Sequence, residues 1–170
     1  MNVPIKYLPK HITKKDKKTL VKELKKSRKA YKKNNYYTRK KISSYKSKPS
    51  QHILNVKKLY NIDKLVINSN LSKKTGCSIN SLRKIVNKGQ GAYFSSGSRP
   101  NQTAHSWGLA RLASSISGGK AAAVDYKILE IGCSNTSKAL KLAKKSQKNS
   151  RLRNKESIQN TRQKLLACKH

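Results

Sequence analysis

Apolar residues recur along this chain mainly at the three- and four-residue spacing of helices that bury one face. The first such segment begins after Thr13, which with Asp16 approximates a capping box, and continues to about Lys33. Its apolar positions form one narrow stripe on a lysine-rich surface: Leu20, Val21, Leu24 and Tyr31. Because lysines one turn apart repel each other, we expect this helix to need a packing partner or a polyanion.

Two more helices are predicted between residues 103 and 131. Thr103 caps the first, which ends at about Ser117 before two glycines, Gly118 and Gly119. Its predicted buried positions are Leu109, Leu112, Ala113 and Ile116, with a further contact from Trp107 and with Arg111 close enough to stack on the indole. The second helix extends from Ala121 to about Ile131 and buries some combination of Val124, Ile128 and Leu129.

The C-terminal segment is predicted as two helices separated by a linker. The first extends from Thr136 to about Lys148 and has Ala139, Leu140 and Ala143 on one face. Residues 149–156 have the composition of a linker, and a last helix extends from about 157 to 167. The candidate packing positions of that last helix are Ile158, Arg162, Leu165 and Leu166.

Residues 70–88 have the pattern of a helix-turn-helix. Such a pair places a small residue against its partner, then a glycine whose turn requires positive φ, and then buried residues at fixed intervals. The residues at these positions are, in order, Ser72, Gly76, Cys77, Leu82 and Ile85. Ser78 is predicted to cap the second helix and Gly89 to end it.

The second helix of this pair is predicted to bury Leu82, Ile85 and Val86 and to present a polar row to a nucleic acid. That row consists of Asn80, Ser81, Arg83, Lys84, Asn87 and Lys88. Asn and Arg make bidentate contacts to base edges, whereas Lys and Ser favour phosphate. A helix pair that serves only for packing has the same buried positions. Because lysine greatly outnumbers arginine, backbone contact is favoured over sequence recognition.

Residues 89–103 are predicted to form a Gly/Ser-rich loop. Glycines allow backbone N–H groups to approach an anion, so this loop is a candidate phosphate site. Its candidate residues are Gly89, Gly91, Ser95, Ser96, Ser98 and Arg99. The spacing differs from that of a nucleotide-hydrolysing P-loop. The alternative is a tight connection that packs Tyr93 and Phe94 into the core.

These elements predict a mainly α fold: a small helical domain with a helix-turn-helix-like pair, a Gly/Ser-rich loop and basic helical or extended terminal arms. The charge is divided in the same way. The chain has 41 Lys and Arg and 6 Asp and Glu, and therefore a net charge of +35. Residues 1–50 and 136–170 form basic N- and C-terminal arms around a helical core at 51–135. Within this core, residues 89–135 are almost neutral and contain the single Trp and the single Phe.

So large a positive charge predicts a polyanionic partner: nucleic acid first, DNA in particular, and an anionic membrane surface second. In the N-terminal arm, basic residues alternate with tyrosines over 36–45, a pattern suited to backbone contact with base stacking. Its candidate nucleic-acid contacts are Arg39, Lys40 and Lys41. The alternative is a solvated loop with half-packed tyrosines.

Several classes of protein are disfavoured. The longest apolar runs are far shorter than a transmembrane helix, and the N-terminus lacks the apolar region of a signal peptide. Cys77, Cys133 and Cys168 are odd in number and widely spaced, so we expect three reduced thiols in a cytosolic or nuclear compartment.

Catalysis is not expected, and neither is a metal, a cofactor or a small-molecule substrate. Asp125 and Glu130 are the only carboxylates of the neutral segment, too few for a metal-dependent nuclease. A catalytic set built from Asp125, His105 and either Ser95 or Ser106 lacks a supporting motif.

The chain resembles an uncharacterised family of small basic proteins encoded by giant nucleocytoplasmic DNA viruses, with shorter relatives in tailed phages. The resemblance extends from about Pro9 to Lys144. It rests on four runs: PKHITKKDKK, YYTRKK, KKTGCSINSLRKIVNKG and GQGAYFSSGSRPNQTAHSWGLARLASSISGGKAAAVDYKIL. It implies a viral origin and a place in the virion, with host cytoplasm or nucleus during assembly, and it supplies no catalytic residue.

Charge and resemblance together lead to two hypotheses. In the first, the protein is a non-enzymatic basic virion component, either a minor capsid or cement protein or a genome-associated protein, whose partners are nucleic acid or other capsid proteins. In the alternative, it is a helix-turn-helix-like DNA-binding protein that organises or regulates viral DNA.

Overall fold

The computed structural model describes the backbone of residues 3–167 and the side chains of residues 3–159. Over that range the protein is mainly helical, with a short 3-10 helix at Ile5–Tyr7 and no strand longer than an isolated bridge. The α-helices are α1 (Lys14–Tyr31), α2 (Gln51–Tyr60), α3 (Ser69–Thr75), α4 (Ile79–Ser95), α5 (Ala104–Ile116), α6 (Lys120–Val124), α7 (Tyr126–Gly132) and α8 (Lys138–Ala167). The predicted fold class is confirmed.

Helices α4 and α5 form the centre of the fold and make its most extensive contact. The two backbones approach closely where Gly89 faces Gly108, since a Cβ atom on Gly89 would lie 2.7 Å from the Cα atom of Gly108. Around this crossing the two helices bury Leu82, Ile85, Val86, Leu112, Ala113 and Ile116. The predicted buried face of α5 is thus confirmed for its last three positions, and Leu109 packs against the core while half-buried.

The remaining helices of the main core pack around this pair. Helix α2 contributes Val56 and Tyr60, whose hydroxyl donates a 2.7 Å hydrogen bond to the Ile116 carbonyl. Helix α6 lies between α5 and α8, and α7 contacts both α4 and α8. The predicted apolar face of α8 is confirmed, because Ala139, Leu140 and Ala143 are all buried.

The basic N-terminal segment is built into the fold through a second apolar cluster. Thr13 caps α1 by accepting a hydrogen bond from the Asp16 N–H, as predicted. Tyr7, Leu20, Leu24 and Ile42 are buried together, with Trp107 of α5 packed against them. Of the predicted stripe on α1, Val21 and Tyr31 are only half-buried.

Two carboxylates of α1 fix the extended segment that follows the helix. Asp16 accepts hydrogen bonds from the backbone N–H and the hydroxyl of Ser44, and these bonds hold the pKa of Asp16 below its usual range. Glu23 is buried and accepts hydrogen bonds from the Tyr37 hydroxyl and the Lys40 backbone N–H, both at 2.9 Å. The helix therefore has the packing partner that its lysine repulsion requires.

Three predicted helix boundaries are wrong. Gly89 does not end the second helix of the pair, because α4 continues to Ser95 and uses Gly89 for its contact with α5. The helix predicted over 121–131 is two helices that meet at Asp125; of its three candidate buried positions, Leu129 is buried, Ile128 is half-buried and Val124 is exposed. Residues 149–156 are not a linker but part of the continuous helix α8, since they contain neither glycine nor proline to interrupt it. Of the packing positions predicted for the last helix, Ile158 is exposed, while the side chains of Arg162, Leu165 and Leu166 lie outside the described residues.

The expectation of three reduced thiols is wrong for two of them. Cys77, in the turn before α4, forms a disulfide with Cys133, in the turn after α7. Backbone hydrogen bonds from Ser78 N–H to the Gly132 carbonyl and from Ser134 N–H to the Gly76 carbonyl hold the two turns side by side. Sequence spacing cannot reveal this pairing, because 56 positions separate the two cysteines. Cys168 lies outside the described residues.

Gly89→Ala is expected to lower the free energy of unfolding by about 1–3 kcal/mol, because the added methyl group collides with the backbone of α5. Gly91→Ala is the matched control in the same helix, since its Cβ atom would meet only the Tyr31 hydroxyl at 3.5 Å. That control is expected to be neutral or stabilising by up to about 1 kcal/mol. Urea unfolding of both variants measures the difference, and equal effects contradict close packing at Gly89.

Reduction of the Cys77–Cys133 disulfide is expected to lower the free energy of unfolding by about 2–4 kcal/mol, because the unfolded chain regains the freedom of a long loop. Wild type is unfolded with and without dithiothreitol, alongside the Cys77→Ser, Cys133→Ser double variant, which is expected not to respond. An unresponsive wild type that yields no Cys77–Cys133 linked peptide in mass spectrometry contradicts the disulfide.

Candidate nucleic-acid interface

Helices α3 and α4 form a tight helix-turn-helix-like pair. Helix α3 is capped by the side chain of Asn68 and ends at Gly76, whose φ of +67° is the left-handed conformation that the pattern requires. The turn consists of residues 76–78, and the Ser78 hydroxyl accepts a hydrogen bond from the Ser81 N–H at the start of α4. The predicted turn and cap are confirmed.

The buried positions of the pair also match the pattern. Cys77, Leu82 and Ile85 are each at most 2% exposed. Ser72, the small residue of the pattern, is half-buried and donates a 2.7 Å hydrogen bond to the Cys77 carbonyl. These contacts fix how far α4 is rotated about its axis, and so determine which side chains point outward.

The outward face of α4 is defined here by Asn80, Arg83, Lys84 and Asn87, which are all exposed. Their spacing of three and four residues places them on one side of the helix, away from α5. No carboxylate belongs to this group of four. The face combines two amides that can reach base edges with two cations that can contact phosphate.

Ser81 is not part of this face, although the sequence places it in the polar row. It is buried on the flank of α4, where it lies against Gly132 so closely that no side chain fits on that glycine. Its hydroxyl accepts a hydrogen bond from Ser78. Its role is therefore to pack α7 against α4.

Lys88 is partly neutralised within the protein. Its ammonium group lies 3.0 Å from a carboxylate oxygen of Asp125, and its side chain stays 45% exposed. Asp125 is fully buried and also accepts two hydrogen bonds from Arg111 and one from Ser115. Burial alone raises a carboxyl pKa, but the hydrogen bonds from Arg111, Lys88 and Ser115 outweigh it and lower the pKa of Asp125.

This network answers two of the expectations about the neutral segment. Arg111 does not stack on Trp107, because its guanidinium group is paired with Asp125 and the indole packs edge-on against Tyr7. In the described residues, the hydrogen bonds of Asp125 go to groups other than His105, Ser95 and Ser106. Asp125 accepts a hydrogen bond from Ser115, and Ser106 closes the capping box of α5. The sequence does not identify Asp125 as the residue that accepts hydrogen bonds from both Arg111 and Ser115. Its only signal there is a single aspartate in an apolar segment.

The candidate phosphate loop is not formed. Gly89 and Gly91 lie inside α4, and Ser95 and Ser96 are exposed at its C-terminal end. Ser98 is buried and accepts a 2.6 Å hydrogen bond from Arg39, while Arg99 is exposed. The alternative is confirmed for the packing of Tyr93 and Phe94, which are both buried, but these residues lie in α4 and not in a connection.

Arg39, predicted as a nucleic-acid contact, instead bonds groups within the protein. Its guanidinium group lies 3.6 Å from the centre of the Tyr93 ring and donates hydrogen bonds to the Tyr93 carbonyl and the Ser27 and Ser98 hydroxyls. These contacts join the N-terminal segment to the end of α4. Lys40 and Lys41 are exposed and stay available as candidate contacts.

One tyrosine of the basic-aromatic run lies beside α4. Tyr36 is 70% exposed, and its ring packs edge-on against Phe94 at a centroid distance of 5.1 Å. Tyr31 stacks on the same Phe94 ring, and its hydroxyl approaches Gly91 on the outward side of α4. The C-terminal end of α1 therefore borders the outward face of α4, with an exposed aromatic ring at their junction.

No described helix is long and apolar enough to cross a membrane. Within the same part of the chain, no group of three or more His, Cys, Asp or Glu side chains is arranged to hold a metal ion.

Residues 4–141 match DUF5824, a family of unknown function. Because the match covers most of the chain, the protein belongs to that family. Neither a curated protein nor a solved structure matches the chain. The viral origin that the sequence resemblance implies stays a prediction.

Asp125→Asn is expected to lower the free energy of unfolding by about 3 kcal/mol at neutral pH, because it leaves Arg111 and Lys88 without their counter-charge. The lowered pKa of Asp125 means that its carboxylate stabilises the fold above about pH 4 and loses this effect as the pH falls further. The difference between wild type and variant should therefore shrink below about pH 4. Urea unfolding between pH 7 and pH 2.5 measures it, and a constant difference contradicts the ion pair.

Proposed function

Taking the chain as a member of this family, we propose that the protein binds double-stranded DNA without catalysing a reaction, and that the outward face of α4 lies on the duplex. The observation that carries the proposal is the exposed row of Asn80, Arg83, Lys84 and Asn87, held outward by the helix-turn-helix-like pair. A helix packed in this way is the element that enters the major groove in known helix-turn-helix proteins.

The charge of the chain supports a nucleic acid as the partner. A protein of net charge +35 attracts polyanions over its whole surface, and phosphate contacts supply most of the affinity in such complexes. The two amides of the outward face add a capacity to contact base edges. We therefore propose backbone contact as the main source of affinity, with sequence preference as a secondary effect.

Neighbouring elements extend the same surface. Tyr36 offers an exposed ring at the end of α4, and Lys40 and Lys41 follow it in the chain. The C-terminal end of α1 adds Lys32 and Lys33, both exposed. These cations lie on the segments that pack against the C-terminal end of α4 through Tyr31, Tyr36 and Arg39, and we propose that they contact phosphates next to the outward face.

The sequence resemblance gives this activity a biological setting. We propose that the protein belongs to a large DNA virus, accompanies the viral genome in the particle, and helps to organise it. A second candidate, a minor capsid or cement protein, is favoured by one observation: all described side chains of α8 from Arg151 onward are exposed. This cationic extension of the helix is available to a neighbouring protein.

The test removes two cations from the outward face. The Arg83→Ala, Lys84→Ala double variant is compared with a matched Lys144→Ala, Lys148→Ala variant, whose exposed lysines lie on α8. Binding of a fluorescent DNA duplex is measured by anisotropy at several salt concentrations. Each phosphate contact contributes about 0.9 to the slope of log K against log salt, so the α4 variant should lose about 2 from that slope. The control should keep the wild-type slope.

Two results contradict the proposal. If both double variants lose the same slope, the DNA contacts the protein according to overall charge and α4 has no special role. If neither variant changes, the outward face does not touch the duplex. Equal melting temperatures of the free variants establish that the comparison concerns binding rather than folding.

A further inference from the structure

A cationic groove lies between the α5–α6 turn and α8. It consists of two adjoining cavities of about 310 and 300 Å³, which share Lys120, Ser146 and Arg153 in their walls. Lys145 completes the first cavity. None of the lining residues belongs to α3 or α4, so this α6–α8 groove is separate from the outward face of α4.

The backbone of the turn is shaped to lie directly on α8. Gly118 has a φ of +72°, and a Cβ atom there would lie 3.1 Å from the Cβ atom of Leu142. Gly119 donates its N–H to the Ser114 carbonyl and accepts a hydrogen bond from the Ser146 hydroxyl at 3.0 Å. These contacts bring Lys120, the next residue, to the same groove as the cations of α8.

Within the described residues, no ion pair neutralises the cations of the groove. Lys120, Lys145 and Arg153 converge from two elements, and no carboxylate is among the described residues that line either cavity. Arg153 donates its Nε–H to the Asn149 carbonyl one turn earlier on α8, and both residues line the first cavity. Three converging cations repel one another, so an anion placed among them relieves an unfavourable interaction.

We propose that the α6–α8 groove binds a backbone phosphate of nucleic acid and gives the protein a second DNA contact besides α4. Guanidinium and ammonium groups are the side chains that bind phosphate, and Asn149, Ser150 and Asn154 in the wall can donate further hydrogen bonds. This assignment of a nucleic acid rests on the proposed function, whereas the capacity to bind phosphate does not.

The first experiment tests the groove with inorganic phosphate alone. Amide resonances of the uniformly ¹⁵N-labelled full chain are followed as phosphate is added at constant ionic strength, with chloride as the balancing ion. Saturable shifts are expected at Gly118, Gly119 and Asn149, and the Lys145→Ala, Arg153→Ala variant should lose them. The Lys144→Ala, Lys148→Ala variant of the same helix should keep them. Absent or unsaturable shifts, or shifts that persist in the groove variant, overturn the site.

The second experiment identifies the source of the phosphate. The salt slope for duplex binding should fall by about 2 in the Lys145→Ala, Arg153→Ala variant and stay unchanged in the Lys144→Ala, Lys148→Ala control. Combined with the α4 double variant, the loss should be additive. A groove that binds inorganic phosphate yet leaves the duplex slope unchanged overturns the nucleic-acid assignment. If wild type itself does not bind the duplex, the proposed function fails, and the phosphate titration still decides whether the site exists.

Discussion

Scarcity of negative charge governs this structure. Six carboxylates accompany 41 cationic side chains, so the position of each carboxylate determines which cations are neutralised. Asp16, Glu23 and Asp125 each accept several hydrogen bonds within the protein. Asp16 and Glu23 bind the extended N-terminal segment to α1, and Asp125 binds α5 and Lys88 to the junction of α6 and α7. Among the described residues, none of these three carboxylates bonds a side chain of the outward face of α4 or of the α6–α8 groove, so the cations there keep their positive charge.

Close backbone packing determines where the remaining cations point. The contact of Gly89 with Gly108 brings α4 against α5, and the contact of Ser81 with Gly132 brings α7 against the flank of α4. With these two sides covered, Asn80, Arg83, Lys84 and Asn87 are left on the exposed side. The same packing principle, applied at Gly118 and Gly119, brings Lys120 towards α8. These glycine contacts hold the helices close together, and so they determine where the cations that lack a counter-charge lie.

The sequence predicted the local features well and the long-range ones poorly. Caps at Thr13, Ser78 and Thr103 and the left-handed turn at Gly76 depend on neighbouring residues, and all four are confirmed. The prediction that Gly89 ends a helix is wrong because a glycine that ends a helix and a glycine that packs against another backbone look alike in sequence. The sequence does not predict the hydrogen bond between Arg39 and Ser98 or the disulfide between Cys77 and Cys133, because the two partners of each pair are distant in the chain. The α6–α8 groove has only a weak signal in the sequence, a Gly-Gly-Lys turn that is followed, after two short helices, by the lysine-rich helix α8.

We propose that DNA occupies particular cationic surfaces of this basic protein rather than its whole surface. The most direct measurement is lysine acetylation read by mass spectrometry, with and without a DNA duplex at near-physiological salt. We expect protection of Lys84 on α4 and of Lys120 and Lys145 in the groove, while Lys144 and Lys148 stay as reactive as in the free protein. Protection that simply follows the exposure of each lysine, equal on both sides of α8, would contradict the account.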